Sequence, residues 1–132
     1  NVEATSSAFR ENWLYTGDIA YRDRDGFIYI VDRAKDMAIV SGFNVFPREI
    51  DEILMAHPHI KEAASIAVPD AEKGEVIKAF VCLNDGSNLT EDQIKDYCRE
   101  DLVGYKIPKQ IIFQEGLPKT PVGKIDKNQL RK

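Results

Sequence analysis

The sequence predicts an α+β fold: a small mixed sheet with flanking helices, preceded by a β-hairpin. Three observations lead there. Short runs of β-branched and aromatic residues are bounded by Gly, Pro, Asn and Asp, the pattern of strands and turns. Two longer stretches repeat apolar residues at helical spacing. The order of these elements along the chain is that of an α+β domain.

The hairpin comes first. Asp23-Arg24-Asp25-Gly26 supplies a turn between two apolar stretches, Ile19 to Tyr21 and Phe27 to Val31. The charged run Asp32-Arg33-Ala34-Lys35-Asp36 interrupts the pattern, and a domain boundary is expected there. Met37 to Val40 reads as a short strand and Ser41-Gly42-Phe43-Asn44 as a turn. Pro47 occupies a first helical position, and Phe46, Ile50, Ile53, Leu54 and His57 recur at helical spacing until Pro58. Ile60 to Val68 and Val76 to Leu83 are strands separated by a turn over residues 69–74. The second helix follows Leu89: Thr90 and Gln93 have capping-box spacing, Leu89 and Ile94 staple spacing, and Gly104 is the expected stop. Ile111 to Phe113 makes a third strand, and Asp126 is placed to cap a final helix after a Pro- and Gly-punctuated loop.

Composition narrows the function. With 132 residues and 43% hydrophobic content, the chain can build one modest core, or one domain plus an appendage. A net charge of -4, with basic residues scattered among acids, argues against nucleic acid as a partner. No apolar stretch reaches the roughly 18 residues of a membrane helix, and no signal-peptide pattern opens the chain. Cys82 and Cys98 lack CxxC spacing and read as reduced, buried thiols of a cytoplasmic protein. The opening Asn1-Val2-Glu3, without a start methionine, and the ending Leu130-Arg131-Lys132 lead to the expectation of a fragment.

Candidate chemistry concentrates in few places. In Leu117-Pro118-Lys119-Thr120-Pro121-Val122-Gly123-Lys124-Ile125, two prolines stiffen the approach and Gly123 lets the backbone come close to a ligand beside Lys124. A phosphate-loop reading fails, because Gly116 stands at the wrong spacing and Ile125 follows the lysine where Ser or Thr is required. Asp18, after Thr16-Gly17, could accept both hydroxyls of a ribose or simply stabilise a turn. Arg33 could fork onto the same ribose or a phosphate, or pair with Asp32 or Asp36 at the surface. His57 and His59 flank Pro58 without a cysteine partner and read as structural; no metal site is expected.

Taken together, the segments resemble a known family. Thr16-Gly17-Asp18, Asp32 to Asp36, Val40-Ser41-Gly42-Phe43-Asn44-Val45-Phe46-Pro47, Glu49-Ile50, and Leu117-Pro118-Lys119 through Gly123-Lys124 resemble, in order and spacing, the C-terminal region of acyl-CoA synthetases. These belong to the adenylate-forming superfamily, with luciferase and the peptide-synthetase adenylation domains. The resemblance implies a two-step ligase that makes an acyl-adenylate from a fatty acid and ATP, then transfers the acyl group to CoA. It implies that residues 1–34 end a large N-terminal domain, 35–36 form a hinge and 37–132 form the mobile C-terminal domain.

By the same resemblance Lys124 is the catalytic lysine of adenylation, and Asp18 and Arg33 bind the nucleotide. Lys35 is the hinge, and Ser41, Gly42 and Phe43 line the CoA path. ATP and Mg²⁺ are expected to sit mainly on the N-terminal domain, with CoA as co-substrate, so the fragment alone is expected to be inactive. The chain's own N-terminal domain is the implied protein partner. A homodimer of the full-length protein and peripheral association with the inner face of the membrane are both compatible with the family. The run from Ser41 to Pro47 looks most like ligases for long-chain fatty acids; aryl-CoA ligases are a near alternative. Phe43 stands where peptide-synthetase domains carry Arg. A non-catalytic interaction module is the alternative of a different class, and the presence of both Lys124 and Asp18 speaks against it.

Overall fold

The computed structural model describes residues 2–132. The chain divides into two compact units, Asn1–Lys35 and Asp36–Lys132. The first opens with α1 (Val2–Ala8) and a miniature hairpin of β1 (Phe9–Arg10) and β2 (Trp13–Leu14), none of which the sequence pattern announces. Glu11 and Asn12 at the hairpin's turn have φ of 49° and 67°. Two successive left-handed residues give the tight turn whose twist suits paired strands, and only Asn12 signals it in the sequence. The expected hairpin follows as β3 (Asp18–Arg22) and β4 (Ile28–Arg33), antiparallel, with a bulge between Ile19 and Ala20. Asp23 organises its turn, its Oδ1 accepting from the N–H groups of Asp25 (3.0 Å) and Phe27 (2.9 Å). Tyr21 and Tyr29 stack across the strands at 5.0 Å.

The second unit is built on a five-stranded sheet. β5 (Ala38–Val40) and β6 (Phe43–Val45) form a hairpin, followed by α2 (Pro47–Ala56), β7 (Ile60–Asp70), β8 (Gly74–Leu83), α3 (Glu91–Asp101), a 3₁₀ turn (Gly104–Lys106), β9 (Gln110–Phe113) and α4 (Lys127–Leu130). Strand order is β6-β5-β8-β7, with β9 pairing parallel to β8. The single parallel pair makes the sheet mixed, as expected.

Strand alternation sorts the core into two layers. One face carries Ala63, Ile77, Ala79 and Val81, buried under Ile50 and Leu54 of α2 and Ile94 and Cys98 of α3. The other face carries Ala64, Ile66 and Phe80, covered by Leu117, Ile125 and Leu130. This second layer seats the loop that holds Lys124.

Several boundaries differ from the sequence reading. Phe43 and Asn44 lie in β6, so the turn is Ser41-Gly42 alone, with φ of 51° and 85°. Pairing with β5 supplies hydrogen bonds that a four-residue turn would leave open. Pro69, Asp70 and Gly74 likewise belong to β7 and β8, leaving Ala71-Glu72-Lys73 between them. α3 ends at Asp101 with Leu102 as its C-cap, and Gly104 begins the 3₁₀ turn instead of stopping the helix. Burial of Leu102 against the core turns the chain before the glycine is reached.

The predicted caps are present. Thr90 accepts from Gln93 N–H while the Gln93 side chain accepts from Thr90 N–H. Asp126 accepts from the N–H groups of Asn128 and Gln129. Both cysteines are free and buried, and burial pushes the Cys98 thiol up to about 11. No helix among the described residues is long and apolar enough to cross a membrane.

Candidate active-site elements

The Lys124 loop is a small folded unit of its own. Leu117 is buried against Ala64, Ile66 and Phe80, and its N–H donates to Glu62 Oε2 on β7 at 3.3 Å. Lys119 Nζ binds the other oxygen of Glu62. Those two contacts, the ammonium first, hold the Glu62 carboxyl below its ordinary value. Beyond this anchor the chain doubles back: Lys119 and Ile125 bridge antiparallel, and Asp126 N–H donates to Pro118 O at 2.8 Å. Thr120 sits inside the turn, bonded to Gly123 and Lys124. Gly123 has φ +81°, a conformation L residues rarely adopt. The result is a hydrogen-bonded tip with Val122, Gly123 and Lys124 exposed. Among the ion pairs of the described residues, none involves Lys124.

A half-buried acid secures the far end. Lys127, the first residue of α4, places Nζ 2.7 Å from Asp51 Oδ2 on α2. Asp51 Oδ1 accepts from Ser65 N–H on β7 at 2.5 Å, satisfying a donor of an edge strand. Burial raises the Asp51 carboxyl above its ordinary value, and the Lys127 ammonium opposes that rise. The sequence pattern does not mark Glu62, Asp51 or Lys127 as members of this site. Only Thr120, four residues before Lys124, carries a local signal.

The Ser41-Gly42-Phe43 segment forms the tip of the β5–β6 hairpin. Ser41 N–H donates to Lys73 O at 2.8 Å, tying the tip to the β7–β8 turn. Phe43 stacks on Tyr105 with ring centroids 4.5 Å apart and planes 13° from parallel. Nothing lies within 4 Å of where a Cβ on Gly42 would be, so its face is open. This hairpin leaves the sheet at the β6 edge, whereas the Lys124 loop packs on β7 and β8. The structure does not bring the two segments together.

It does join Asp18 and Arg33. They are register partners at the open end of the β3–β4 hairpin, and Arg33 Nε lies 2.9 Å from Asp18 Oδ1. The surface alternatives for Arg33, pairing with the Asp32 or Asp36 side chains, give way to this contact because hairpin register sets the two side chains opposite each other. Gly17, with φ +78°, accepts from Ala34 N–H at 2.8 Å, and Thr16 Oγ1 accepts from Asp18 N–H at 3.2 Å.

Lys35 is exposed in a turn at the boundary between the two units. Asp36 is 14% exposed and accepts from Arg131 Nη2 at 2.5 Å. His57 packs edge-on against Tyr97 at 4.7 Å, and burial followed by His59 lowers its pKa. Among the described residues no group of three or more His, Cys, Asp or Glu converges to hold a metal.

Comparison with known proteins adds to this geometry. The family of AMP-binding enzyme C-terminal domains matches residues 49–124. Over 129 residues the chain is 50% identical to a long-chain-fatty-acid–CoA ligase of Salmonella typhimurium, covering 98% of this chain and 23% of that protein. It is 43% identical over 129 residues to a 2-succinylbenzoate–CoA ligase of a Geobacillus strain, covering 98% of this chain and 26% of that protein. Among solved structures, ATP-bound MatB from Rhodopseudomonas palustris superposes with a TM-score of 0.90 at 38% identity, over 98% of this chain and 26% of that one. The chain thus spans about a quarter of the length of the curated relatives it matches.

Proposed function

The chain belongs to the family of AMP-binding enzyme C-terminal domains, and from that premise we propose that it is the C-terminal part of an AMP-forming fatty-acid–CoA ligase. The full-length protein would activate a long-chain fatty acid with ATP as an acyl-adenylate, releasing pyrophosphate. CoA thiol would then displace AMP to give the thioester. The carrying observation is the Lys124 loop: an exposed ammonium on a hydrogen-bonded tip whose two ends are anchored to the sheet and to α2.

In adenylation the carboxylate of the acid attacks the α-phosphate of ATP, and negative charge crowds around that phosphorus. A positioned cation stabilises this build-up more than it stabilises the ground state. Lys124 would supply the cation as a compact point charge on a long stem. Asp18 would accept hydrogen bonds from the ribose hydroxyls, with Arg33 holding its carboxylate and assisting at the ribose. Mg²⁺ and most contacts to ATP would belong to the N-terminal domain, which would also cover the exposed Tyr21, Phe27, Ile28, Tyr29 and Ile30 of the first unit.

Thioester formation would use a separate part of the unit, the tip of the β5–β6 hairpin. Ser41, Gly42 and Phe43 would line the path of the CoA arm, with the open face of Gly42 allowing close approach to the backbone. Rotation about Lys35 would exchange the hairpin tip and the Lys124 loop at one reaction centre, consistent with the hairpin lying at the β6 edge and the loop over β7 and β8. The arrangement of residues 1–34 as domain end, 35–36 as hinge and 37–132 as mobile domain follows from this reading. Two free, buried thiols favour a cytoplasmic enzyme.

A second reading, an aryl-CoA ligase, is favoured by the similarity to the 2-succinylbenzoate–CoA ligase; a panel of alkyl and aryl acids offered to the full-length protein distinguishes the two. The main reading is tested by Lys124→Ala in the full-length protein, with each half-reaction assayed separately. Acyl-adenylate formation should fall about a hundred- to a thousandfold, the usual loss for one preorganised electrostatic contact. Conversion of supplied acyl-adenylate to thioester should stay near the parent rate. Equal loss of both steps rules out an adenylation-specific lysine.

A further inference from the structure

We propose that Thr120 is a positioning residue for the adenylation step, fixing the backbone from which Lys124 projects; this rests on the reading of Lys124 given above. Three hydrogen bonds join the two residues and the glycine between them. Thr120 N–H donates to Lys124 O at 2.7 Å, and Gly123 N–H donates to Thr120 O at 2.9 Å. Lys124 N–H donates to Thr120 Oγ1 at 3.2 Å. Every polar atom of Thr120 is thus directed at the pair Gly123-Lys124.

The physical need for such a pin follows from the lysine itself. Its stem has four rotatable bonds, and no ion pair among the described residues holds its tip. The fold can therefore control only where the stem begins and which way it leaves. Gly123 just before it adopts φ +81° and carries no side chain that could resist a change of backbone angle.

Rigidity has to reach this tip from the sheet. Glu62 on β7 holds Leu117 and Lys119, and Pro118 O accepts from Asp126 N–H at 2.8 Å. These contacts fix the base of the loop. Beyond them Val122 is 79% exposed and no buried side chain supports the turn. Thr120 is the member that carries order from the base to Lys124. A hydroxyl is required at this point, because the shape of the side chain alone leaves Lys124 N–H without its intramolecular acceptor.

The test uses Thr120→Val, which keeps the β-branched shape and removes the acceptor, and Thr120→Ser, which keeps the acceptor. Both are made in the full-length protein beside Lys124→Ala. Acyl-adenylate formation is measured at saturating fatty acid over a range of ATP, and thioester formation from supplied acyl-adenylate is measured separately. Thr120→Val should lower kcat for adenylation about ten- to a hundredfold, the scale expected when a reacting group is misplaced by about an ångström. KM for ATP should change less than about twofold, thioester formation should be kept, and Thr120→Ser should recover most of the loss.

A merely structural threonine would affect both half-reactions in proportion to the folded protein lost. That outcome, or a Thr120→Val enzyme with parental adenylation, or a Thr120→Ser enzyme as impaired as Thr120→Val, overturns the proposal. If Lys124→Ala leaves adenylation intact, the reading of Lys124 itself is wrong and the role of Thr120 goes with it. If Lys124→Ala abolishes adenylation while Thr120→Val does not, only the role of Thr120 is lost.

Discussion

Asp18 and Arg33 close the open end of one β-hairpin, with Arg33 Nε 2.9 Å from Asp18 Oδ1. The Arg33 side chain is 56% exposed, so the pair contributes little to folding by itself. Its effect is to orient the Asp18 carboxylate. Removing the guanidinium with Arg33→Ala should raise KM for ATP in the full-length protein about tenfold, with kcat little changed. Asp18→Asn should raise it further, up to about a hundredfold, the worth of a charged hydrogen bond. Steady-state kinetics over a range of ATP concentrations check both.

Gly42 offers a separate probe of the second half-reaction. A methyl group there meets nothing within 4 Å, yet the backbone sits at φ +85°. Gly42→Ala should therefore cost only the left-handed strain of one residue, about 1 kcal/mol in urea unfolding. Thioester formation should fall roughly tenfold or more if the CoA arm passes over this backbone, while acyl-adenylate formation is retained.

The Asp51–Lys127 pair should reveal itself in stability. Lys127→Met leaves a half-buried carboxylate without its cation and should cost about 1–2 kcal/mol at pH 7, with the Asp51→Asn/Lys127→Met double variant recovering part of the loss. Burial raises the Asp51 carboxyl in the folded state. For a raised acid, its contribution to stability is present below the unfolded value of about 3.9 and is lost as pH rises through the folded value. The deficit of Lys127→Met relative to parent should therefore shrink toward pH 3 in denaturant titrations.

Asp70 titrates with the opposite sign. The Lys109 ammonium, then the N–H groups of Lys73 and Glu72, hold its carboxyl down at about 2. A depressed acid stabilises above its unfolded value of about 3.9, and that contribution fades as pH falls from there toward about 2. Asp70→Asn should flatten the stability curve across this acid window and leave its slope above pH 5 unchanged. Urea unfolding midpoints measured from pH 2 to pH 7 supply the comparison.

The 132-residue chain by itself should show no turnover. Incubation with ATP, Mg²⁺, fatty acid and CoA should yield neither pyrophosphate nor thioester, because most contacts to ATP and the acyl chain are assigned elsewhere. Any acyl-CoA above background contradicts that assignment.

The residues that form local structure could be read directly. Thr90 and Gln93, Pro47, and Asp126 act on backbone groups within about four positions, so their spacing alone announced the helix ends. The turn of Asp23 to Gly26 was equally plain, and the family resemblance rested on short segments whose order is itself sequence. The β1–β2 hairpin is not legible in the sequence, because two strands of two residues have too little periodicity to register.

What surrounds Lys124 was decided elsewhere. Glu62 meets Lys119 across 57 positions, Asp51 meets Lys127 across 76, and Arg131 returns to Asp36 across 95. Such pairings have no sequence period, since they exist only once β7 lies beside β8 and the chain has crossed back over the sheet. By itself the sequence determined the elements, their caps and the motifs spaced along them. Only the tertiary structure decided which acids would steady the lysine loop, because ion pairs form where packing brings side chains within a few ångströms, whatever their distance along the chain.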